Sequence, residues 1–266
     1  MSKDDIPVVH AMPPEDWQAN LGKIIRTHYD EDYFIPIVAV DKNDRIMGTA
    51  FGIVLGKSIW LGFVIVAEAD RRKGIGSAMV SYLIDQGQSR GLQSVQLFAT
   101  TMGEPVYQKI GFRATSLYHT FEGPKLDIPS EEMPHIRPID QSDFETVCAL
   151  DERIMGENRS CLLKQVYPTG WKYVDCKTAR IKGVFLPDMD NGMILANDQT
   201  AGTTLLRFKH HLSTTPSVIP EENTGAITYL QNQGFRKTKS VPRMIYGQSI
   251  KWEAKQLYSR GTAYTG

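Results

Sequence analysis

The sequence predicts a mixed α/β protein made of two similar domains in tandem. Three runs rich in Val, Ile and Phe lie between residues 35 and 66, and a helix–strand–helix–strand order follows them. A segment rich in proline and acidic residues interrupts the pattern at 123–134, and part of the earlier motif spacing then recurs. Consecutive strands followed by alternating helices and strands are typical of a mixed sheet covered by helices.

Composition excludes several classes of protein. The 266 residues carry 30 Lys+Arg and 30 Asp+Glu, and this zero net charge argues against a dedicated nucleic-acid binder. The longest apolar run, 59–66, is too short to cross a bilayer, and the polar start of the chain predicts no secretory signal. The three cysteines lack CxxC spacing, which argues against a disulfide framework or a zinc site. We therefore expect a cytoplasmic protein without a metal, and the sequence leaves a homodimer open.

The first 66 residues are expected to contain four strands and one helix start. Val8–Met12 is interpreted as a short strand, and Pro13–Asp16 as a helix start, where proline is tolerated. The apolar runs at about 35–41, 45–55 and 58–66 are separated by short polar or glycine-containing breaks, which predicts an antiparallel meander.

Helix and strand signals alternate in the rest of the first half. Apolar residues at 75, 79, 83 and 84 follow the helical period and predict a helix over 74–90, which Gly91 would end. A strand at 95–98, a short helix at 103–110 and a last strand at 113–121 are expected after it. The predicted organisation is an N-terminal domain at 1–122, a linker at 123–134, a second domain at 135–250 and a tail at 251–266.

Two motifs recur in the second half. The pattern Thr100-x-x-Gly103-x-x-x-Tyr107-x-x-x-Gly111-Phe112 is echoed by Asn223-x-x-Ala226-x-x-x-Leu230-x-x-x-Gly234-Phe235 at an offset of 123. The pattern His10-x-Met12-x-x-x-Asp16-Trp17 is echoed by Arg137-x-Ile139-x-x-x-Asp143-Phe144 at an offset of 127. Chance similarity of short patterns is the alternative, but two motifs at nearly one offset favour a duplicated domain.

The segment 64–77 carries the clearest chemical signal. A predicted strand ends at Val66, three basic residues follow at 71–73, and Gly74 and Gly76 open the next helix. Glycine allows positive φ and close approach of a ligand, and the first amides of a helix have no intrahelical partners. The positive end of the helix dipole lies at the same place, so the segment predicts a phosphate or pyrophosphate site.

The glycine spacing of this segment differs from that of two common phosphate loops. The dinucleotide fingerprint needs a third glycine where Met79 stands, and the mononucleotide loop needs Lys-Ser where Ser77-Ala78 stands. A solvated basic turn with helix-starting glycines remains an alternative when the segment is considered by itself.

Two motifs together resemble a family. Arg71-x-x-Gly74-x-Gly76 is similar to the R/Q-x-x-G-x-G/A signature of the GNAT superfamily of acyl-CoA-dependent N-acetyltransferases. Ala99-Thr100-x-x-Gly103-x-Pro105-Val106-Tyr107-x-x-x-Gly111-Phe112 resembles the second motif of that family. The resemblance covers about residues 8–121, and the second half is similar to a C-terminal GNAT-like domain.

The resemblance implies acetyl-CoA as co-substrate and direct transfer of an acetyl group to a primary amine of a small molecule or peptide. It implies a gap between strands 58–66 and 95–99 for the thioester, and pairing of pantetheine with the strand before the glycine loop. The residues implied for cofactor binding are Val64, Val66, Arg71, Arg72, Lys73, Gly74, Ile75, Gly76, Ser77 and Thr100. Tyr107 matches the family tyrosine that protonates the departing thiolate, and a packing tyrosine is its alternative role.

The chain departs from the family pattern at two points. Thr100 stands where many relatives have Asn, and strand 58–66 contains no Glu, Asp or His that could act as a base. Glu68, Glu104 and His119 lie near enough in sequence to be considered, but the base stays unassigned.

The second half lacks the phosphate motif. The offset of 123 places Ile194-x-x-Asn197-x-Gln199 opposite Arg71-x-x-Gly74-x-Gly76, without a glycine pair or a basic residue. We therefore expect an active N-acetyltransferase domain followed by a degenerate copy. A non-catalytic acyl-CoA-binding sensor is the alternative, because no base is evident.

Overall fold

The described residues form two compact units. The computed structural model describes residues 1–17, 19–127 and 133–266. Unit 1 comprises Met1–Arg113, Met244–Ser249 and Thr265, and unit 2 comprises Ala114–Arg243, Ile250–Tyr264 and Gly266.

Unit 1 combines paired strands with α-helices. Its elements in chain order are α1 Ile6–His10, α2 Leu21–His28, β1 Phe34–Val40, β2 Ile46–Leu55, β3 Ser58–Val66, α3 Ile75–Ser89, β4 Ser94–Phe98 and α4 Glu104–Ile110. β1, β2 and β3 pair antiparallel in sequence order, and β4 pairs parallel with β3. The predicted meander and the helix–strand–helix order after it are thus confirmed.

The predicted strand at Val8–Met12 is wrong, because Ile6–His10 forms helix α1. Ile6 and Val9, three residues apart, are buried, whereas Val8 between them is 53% exposed. This is helical spacing, but a five-residue segment is too short for its period to be recognised in the sequence. The helix start expected at Pro13–Asp16 is a single 3₁₀ turn at Glu15–Trp17, and α2 begins only at Leu21.

The core of unit 1 lies between the sheet and α3. Met79, Val80, Leu83 and Ile84 are buried on one face of α3 and pack with residues of β2, β3 and β4. Each fully buried side chain of this kind contributes about 1.5–3 kcal/mol of transfer free energy. The same cluster includes Met244, which comes from the far end of the chain and is fully buried.

Unit 2 repeats much of this arrangement. Its elements in chain order are β5 Arg113–Glu122, β6 Ile136–Pro138, α5 Phe144–Met155, α6 Ser160–Val166, β7 Trp171–Val174, β8 Ile181–Leu186, β9 Met193–Ala196, α7 Gln199–Leu212, β10 Ser217–Pro220, α8 Thr224–Asn232, β11 Arg236–Gly247 and β12 Leu257–Ser259. The order of one of its sheets is β12-β9-β8-β7-β6, and β5 pairs antiparallel with β10. The apolar core of unit 2 includes buried residues of β8, β9, α7 and α8.

The compact units differ from the predicted domains in several places, and the segment predicted as a separate tail, 251–266, belongs to unit 2 as far as Tyr264. Residues 114–122, predicted to end the first domain, belong to unit 2, and Met244–Ser249 belongs to unit 1. β11 therefore runs from unit 2 into unit 1. Part of the predicted linker, residues 128–132, lies outside the described residues.

Candidate functional site

In unit 1, strands β3 and β4 pair over only three residues each. Ser58, Ile59 and Trp60 pair with Ser94, Val95 and Gln96, and β3 then continues to Val66 while β4 continues to Phe98. The two strands are therefore paired at the start of β3 and not at its end. The divergence leaves main-chain groups of β3 available beside the loop that follows the strand.

A β-bulge interrupts β3 just beyond this point, and the sequence did not reveal it. β2 pairs Phe51 with Gly62 but Thr49 with Ile65, so Ala50 faces both Phe63 and Val64. Phe63 has a φ of 50°, which is unusual for a residue with a large side chain. Bulges bend and twist a strand and occur often beside active sites. Gly62 was the local signal that could have indicated it.

The loop after β3 has an unusual backbone. Residues 67–74 connect Val66 to α3, and both Arg72 (φ 63°) and Gly74 (φ 81°) adopt left-handed conformations. Residues 71–74 are all exposed. A Cβ built on Gly74 would meet no atom within 4 Å, so the space beside this residue is open. Left-handed residues in a turn can direct successive amides toward one side, which is how backbone nests bind anions.

Helix α3 begins without a side-chain cap. Gly74 is its N-cap residue, and the first bond of the helix is donated by the amide of Ala78 to the carbonyl of Gly74, at 3.0 Å. The amides of Ile75, Gly76 and Ser77 lie in the first turn, before this bond, where the helix supplies no acceptor. The macrodipole places partial positive charge at this end, so the geometry suits a phosphate.

The three basic side chains of the loop have different surroundings. Arg71 donates from Nε to the carbonyl of Val66, at 3.3 Å. Lys73 donates to the carboxylate of Asp70, at 2.8 Å, and Arg72 is exposed. The side chains of Val64 and Val66 pack against the core of unit 1 with Ile75, which fixes the strand that leads into the loop.

Tyr107 lies in α4, and only 9% of it is exposed. Its ring centroid is 5.8 Å from that of Phe112. Burial raises the pKa of the phenol to about 12, so the hydroxyl keeps its proton at neutral pH. Thr100 accepts from the amide of Gly103 through Oγ1, at 3.1 Å, and in this way closes the turn before α4.

Family models match both halves of the chain. The model of the acetyltransferase (GNAT) family matches residues 7–112, and the model of the acetyltransferase (GNAT) domain matches residues 147–259. This chain belongs to the GNAT acetyltransferase family. The mixed α/β fold with two GNAT domains is thereby confirmed, and no curated protein matches the sequence.

Solved structures of GNAT proteins share the fold over the length of the chain. A Pyrococcus horikoshii protein described as an acetyltransferase has a TM-score of 0.83 at 19% identity, with 100% of this chain and 94% of that chain covered. A GCN5-related N-acetyltransferase from Sphaerobacter thermophilus has a TM-score of 0.62 at 14% identity, with 100% and 96% covered. One from Anabaena variabilis has a TM-score of 0.61 at 11% identity, with 92% and 70% covered. At these identities the likeness shows the fold alone.

The second GNAT domain has a different helix start. β9 ends at Ala196 and α7 begins at Gln199, so Asn197 and Asp198 alone connect them. Asp198 is the N-cap residue of α7, and its carboxylate accepts from the amide of Ala201, at 3.0 Å. The long loop of the first GNAT domain is missing, and a negative charge occupies the helix end.

The chain itself lies beside β9 in the second GNAT domain. β12 pairs antiparallel with β9, and the amide of Arg260 donates to the carbonyl of Val218 in β10, at 2.8 Å. The ring of Tyr258 in β12 packs directly against Gly202 of α7. A Cβ added to Gly202 would come within 2.2 Å of that ring. β12 thus pairs with β9, and the residue after β12 is hydrogen-bonded to β10. In the first GNAT domain the strands that correspond to β9 and β10 are β3 and β4.

The three acid or histidine side chains considered as a base have different surroundings. Glu68 is exposed, and Glu104 accepts from the side chain of Gln108, at 3.1 Å. His119 lies in unit 2, where its Nδ1 is 2.8 Å from the hydroxyl of Ser240. The geometry therefore assigns the role of base to none of these three residues.

Among the described residues, no three His, Cys, Asp or Glu side chains are grouped to hold a metal ion. Within residues 1–17, 19–127 and 133–266, no helix has the length and apolar character needed to span a membrane.

Proposed function

We propose that the first GNAT domain is an acetyl-CoA-dependent N-acetyltransferase that acts on a primary amine. The observation that carries this proposal is the loop 67–74, in which Arg72 and Gly74 are left-handed and α3 begins without a cap beside the diverging end of β3. The GNAT fold accommodates many acceptors and does not itself specify one. The proposed acceptor is therefore given only as a class, a small-molecule or peptide amine.

The residues present fit an acyl-CoA. Pyrophosphate is an anion with several acceptor oxygens, and the uncapped amides from Ile75 to Ser77 together with those of residues 72–74 would donate to it. Arg71, Arg72 and Lys73 contribute positive charge at the same exposed loop. Pantetheine is an extended chain with amide groups, and the main chain of Val64 and Val66 would pair with it where β3 has separated from β4.

The proposed reaction is direct transfer. The neutral amine forms a C–N bond with the carbonyl carbon as the C–S bond breaks, and the sulfur leaves with the electron pair. The phenol of Tyr107 donates its proton to the leaving thiolate, a water molecule accepts the proton that the amine loses, and water returns that proton to the Tyr107 phenolate. The phenol carries its proton at neutral pH and so has one to donate, although burial, by raising its pKa to about 12, makes it a weaker acid than an exposed tyrosine. Alignment of amine and thioester supplies most of the remaining rate enhancement.

The second GNAT domain is proposed to bind no acyl-CoA. Asp198 caps α7 where a phosphate would need free amides, and like charge opposes a phosphate there. β12 also occupies the side of β9 that would have to be open. We therefore expect one acyl-CoA site in each chain.

The test is calorimetric titration of the full chain with acetyl-CoA and with CoA. One site per chain is expected, and Gly74→Val should weaken binding by at least about a hundredfold, because Gly74 has positive φ and its Cβ would enter the open space. Gly91→Val is the matched control: Gly91 has a φ of 73°, follows the other end of α3 and also has no atom within 4 Å of a Cβ.

The outcomes separate the alternatives. Equal loss in both glycine variants would mean that strain alone lowers affinity, and the phosphate site would lie elsewhere. Two sites per chain would contradict the assignment of the second domain. One site without turnover of any primary amine would favour the acyl-CoA sensor, which the lack of an acidic residue or histidine on β3 also suggests.

A further inference from the structure

Asp70 is a buried carboxylate next to the exposed loop. It ends the 3₁₀ turn Glu68–Asp70, and its side chain is only 3% exposed. Arg45 binds it through both terminal nitrogens, with Nη1 2.7 Å from Oδ2 and Nη2 3.2 Å from Oδ1. Bidentate pairs of this kind fix direction as well as distance.

Lys73 binds the same carboxylate from within the loop. Its Nζ lies 2.8 Å from Oδ1 of Asp70, so the ion pair links the two ends of a four-residue segment that contains Arg71 and Arg72. Arg72 is the residue inside this segment whose φ is 63°. A residue with a Cβ adopts such a conformation only where its surroundings hold it there.

The other end of this network is anchored on the sheet. Arg45 directly precedes β2 and also donates from Nε to Asp41, at 3.0 Å, while the Asp41 carboxylate accepts from the amides of Asn43 and Arg45. The Arg45 and Lys73 hydrogen bonds hold the pKa of Asp70 well below its usual range, so the carboxylate is charged at neutral pH. The loop is therefore tied to the turn between β1 and β2 through one carboxylate.

We propose that Asp70 is a positioning residue that holds Arg72 in its left-handed conformation and so keeps the loop amides directed at the pyrophosphate. This inference rests on the proposed function of the first GNAT domain. A purely electrostatic role would have the opposite effect: a carboxylate near a pyrophosphate repels it, so removal of the charge would strengthen binding. The two roles of Asp70 thus predict changes in affinity of opposite sign.

The first test compares Asp70→Asn with the wild-type chain by calorimetry. Asn keeps the shape but loses the ion pairs, and we expect acetyl-CoA to bind about tenfold more weakly. Arg45→Gln should have a similar effect because it removes the anchor. Asp85→Asn on the exposed side of α3 is the matched control and should leave affinity unchanged.

The second test uses pantetheine, which lacks the pyrophosphate. Its binding, measured by ligand-observed NMR titration, should be the same in Asp70→Asn and in the wild type. A general loss of folded structure would weaken the binding of both ligands. The pair of measurements therefore distinguishes a specific change in the pyrophosphate loop from general unfolding. Equal weakening of CoA and pantetheine would overturn the proposal.

The third test couples Asp70 to Arg72. Glycine adopts positive φ without strain, so Arg72→Gly should remove the need for a residue that holds the loop. In the Arg72→Gly background, Asp70→Asn should weaken acetyl-CoA binding by less than about threefold, whereas in the wild-type background it should weaken it by about tenfold. Equal effects in both backgrounds, or tighter binding in Asp70→Asn, would overturn the proposal. No acetyl-CoA binding to the wild-type chain would instead refute the proposed function itself.

Discussion

The starts of α3 and α7 are the same place in two copies of one fold, and they differ in almost every property that a phosphate would meet. α3 begins at Ile75 after an eight-residue loop, 67–74, and no side chain caps its amides. α7 begins after Asn197 and Asp198, and the Asp198 carboxylate already accepts one of its amides. A helix end can be stabilised by its own chain or left open for an anion, and the two copies illustrate the two solutions.

The helix–turn that follows is preserved in both copies. α4 and α8 end in the same way: the amide of Phe112 donates to the carbonyl of Tyr107, and the amide of Phe235 donates to the carbonyl of Leu230, both at 3.0 Å. Gly111 and Gly234 precede the phenylalanines with positive φ. This pattern is a Schellman motif, which needs glycine for backbone reasons. The two copies therefore share the residues that the backbone requires and differ at the position of Tyr107, where the second copy has Leu230.

The largest expected difference between the copies concerns Tyr107. Tyr107→Phe should lower turnover by about a hundredfold, because the leaving thiolate loses its proton donor, and acetyl-CoA affinity should stay nearly constant. Release of the CoA thiol with an accepted amine measures turnover, and calorimetry measures affinity. Tyr82→Phe, on an exposed position of α3, is the control. Loss of affinity in place of turnover would make Tyr107 a packing residue like Leu230.

Gly76 in the first turn of α3 and Gly202 near the start of α7 differ in how closely other residues pack against them. Gly202→Ala should lower the free energy of unfolding by about 1–3 kcal/mol, because the new Cβ would be 2.2 Å from the Tyr258 ring. Gly76→Ala should not destabilise the protein, since its Cβ would meet only Val66, at 3.6 Å, and alanine is the better helix former. Urea denaturation measures both variants. Similar stabilities would mean that β12 does not pack tightly on α7.

Lys209, buried in the second copy, should make the free energy of unfolding depend on pH. Its Nζ donates to the carbonyl of Pro216 and to the hydroxyls of Ser217 and Ser259, and burial lowers its pKa to about 7. Above pH 7 the unfolded chain still binds the proton that the folded protein has lost. The free energy of unfolding should therefore rise with pH relative to Lys209→Met, by up to about 1.4 kcal/mol per unit between pH 7 and 9.

Urea denaturation at several pH values measures this difference. Asp190 is the acidic neighbour that opposes the effect of burial on the pKa of Lys209. A difference between the two proteins that does not change with pH would show that Lys209 keeps its proton in the folded state.

The smallest expected effect is at Asp198. Asp198→Ala removes an N-cap and should lower the free energy of unfolding by about 1 kcal/mol, with acetyl-CoA affinity unchanged. Asp188→Ala, at an exposed turn, is the control. A second acetyl-CoA site in Asp198→Ala would mean that the cap alone, and neither the short loop nor β12, prevents binding in the second copy.

The sequence predicted the elements whose signals are local. The meander, α3 and α4 follow apolar periodicity and glycine positions, and each lies within a few residues of its predicted bounds. α1 was missed because five residues cannot display a period, and the β-bulge at Phe63 was missed because it depends on pairing with β2. The candidate loop was found from Gly74 and Gly76, but the ion pair of Asp70 with Arg45 joins residues that are 25 apart in sequence.

By itself the sequence determined the two GNAT domains, the open helix start at Gly74 and the loss of the glycine pair in the second copy. Those features depend on backbone freedom and on periodicity within a few turns, which residue types specify directly. Only the tertiary structure placed Met244 in the core of unit 1, β12 beside β9, and Asp70 between Arg45 and Lys73. Strand pairing and burial join distant parts of the chain, so no local pattern could have specified them.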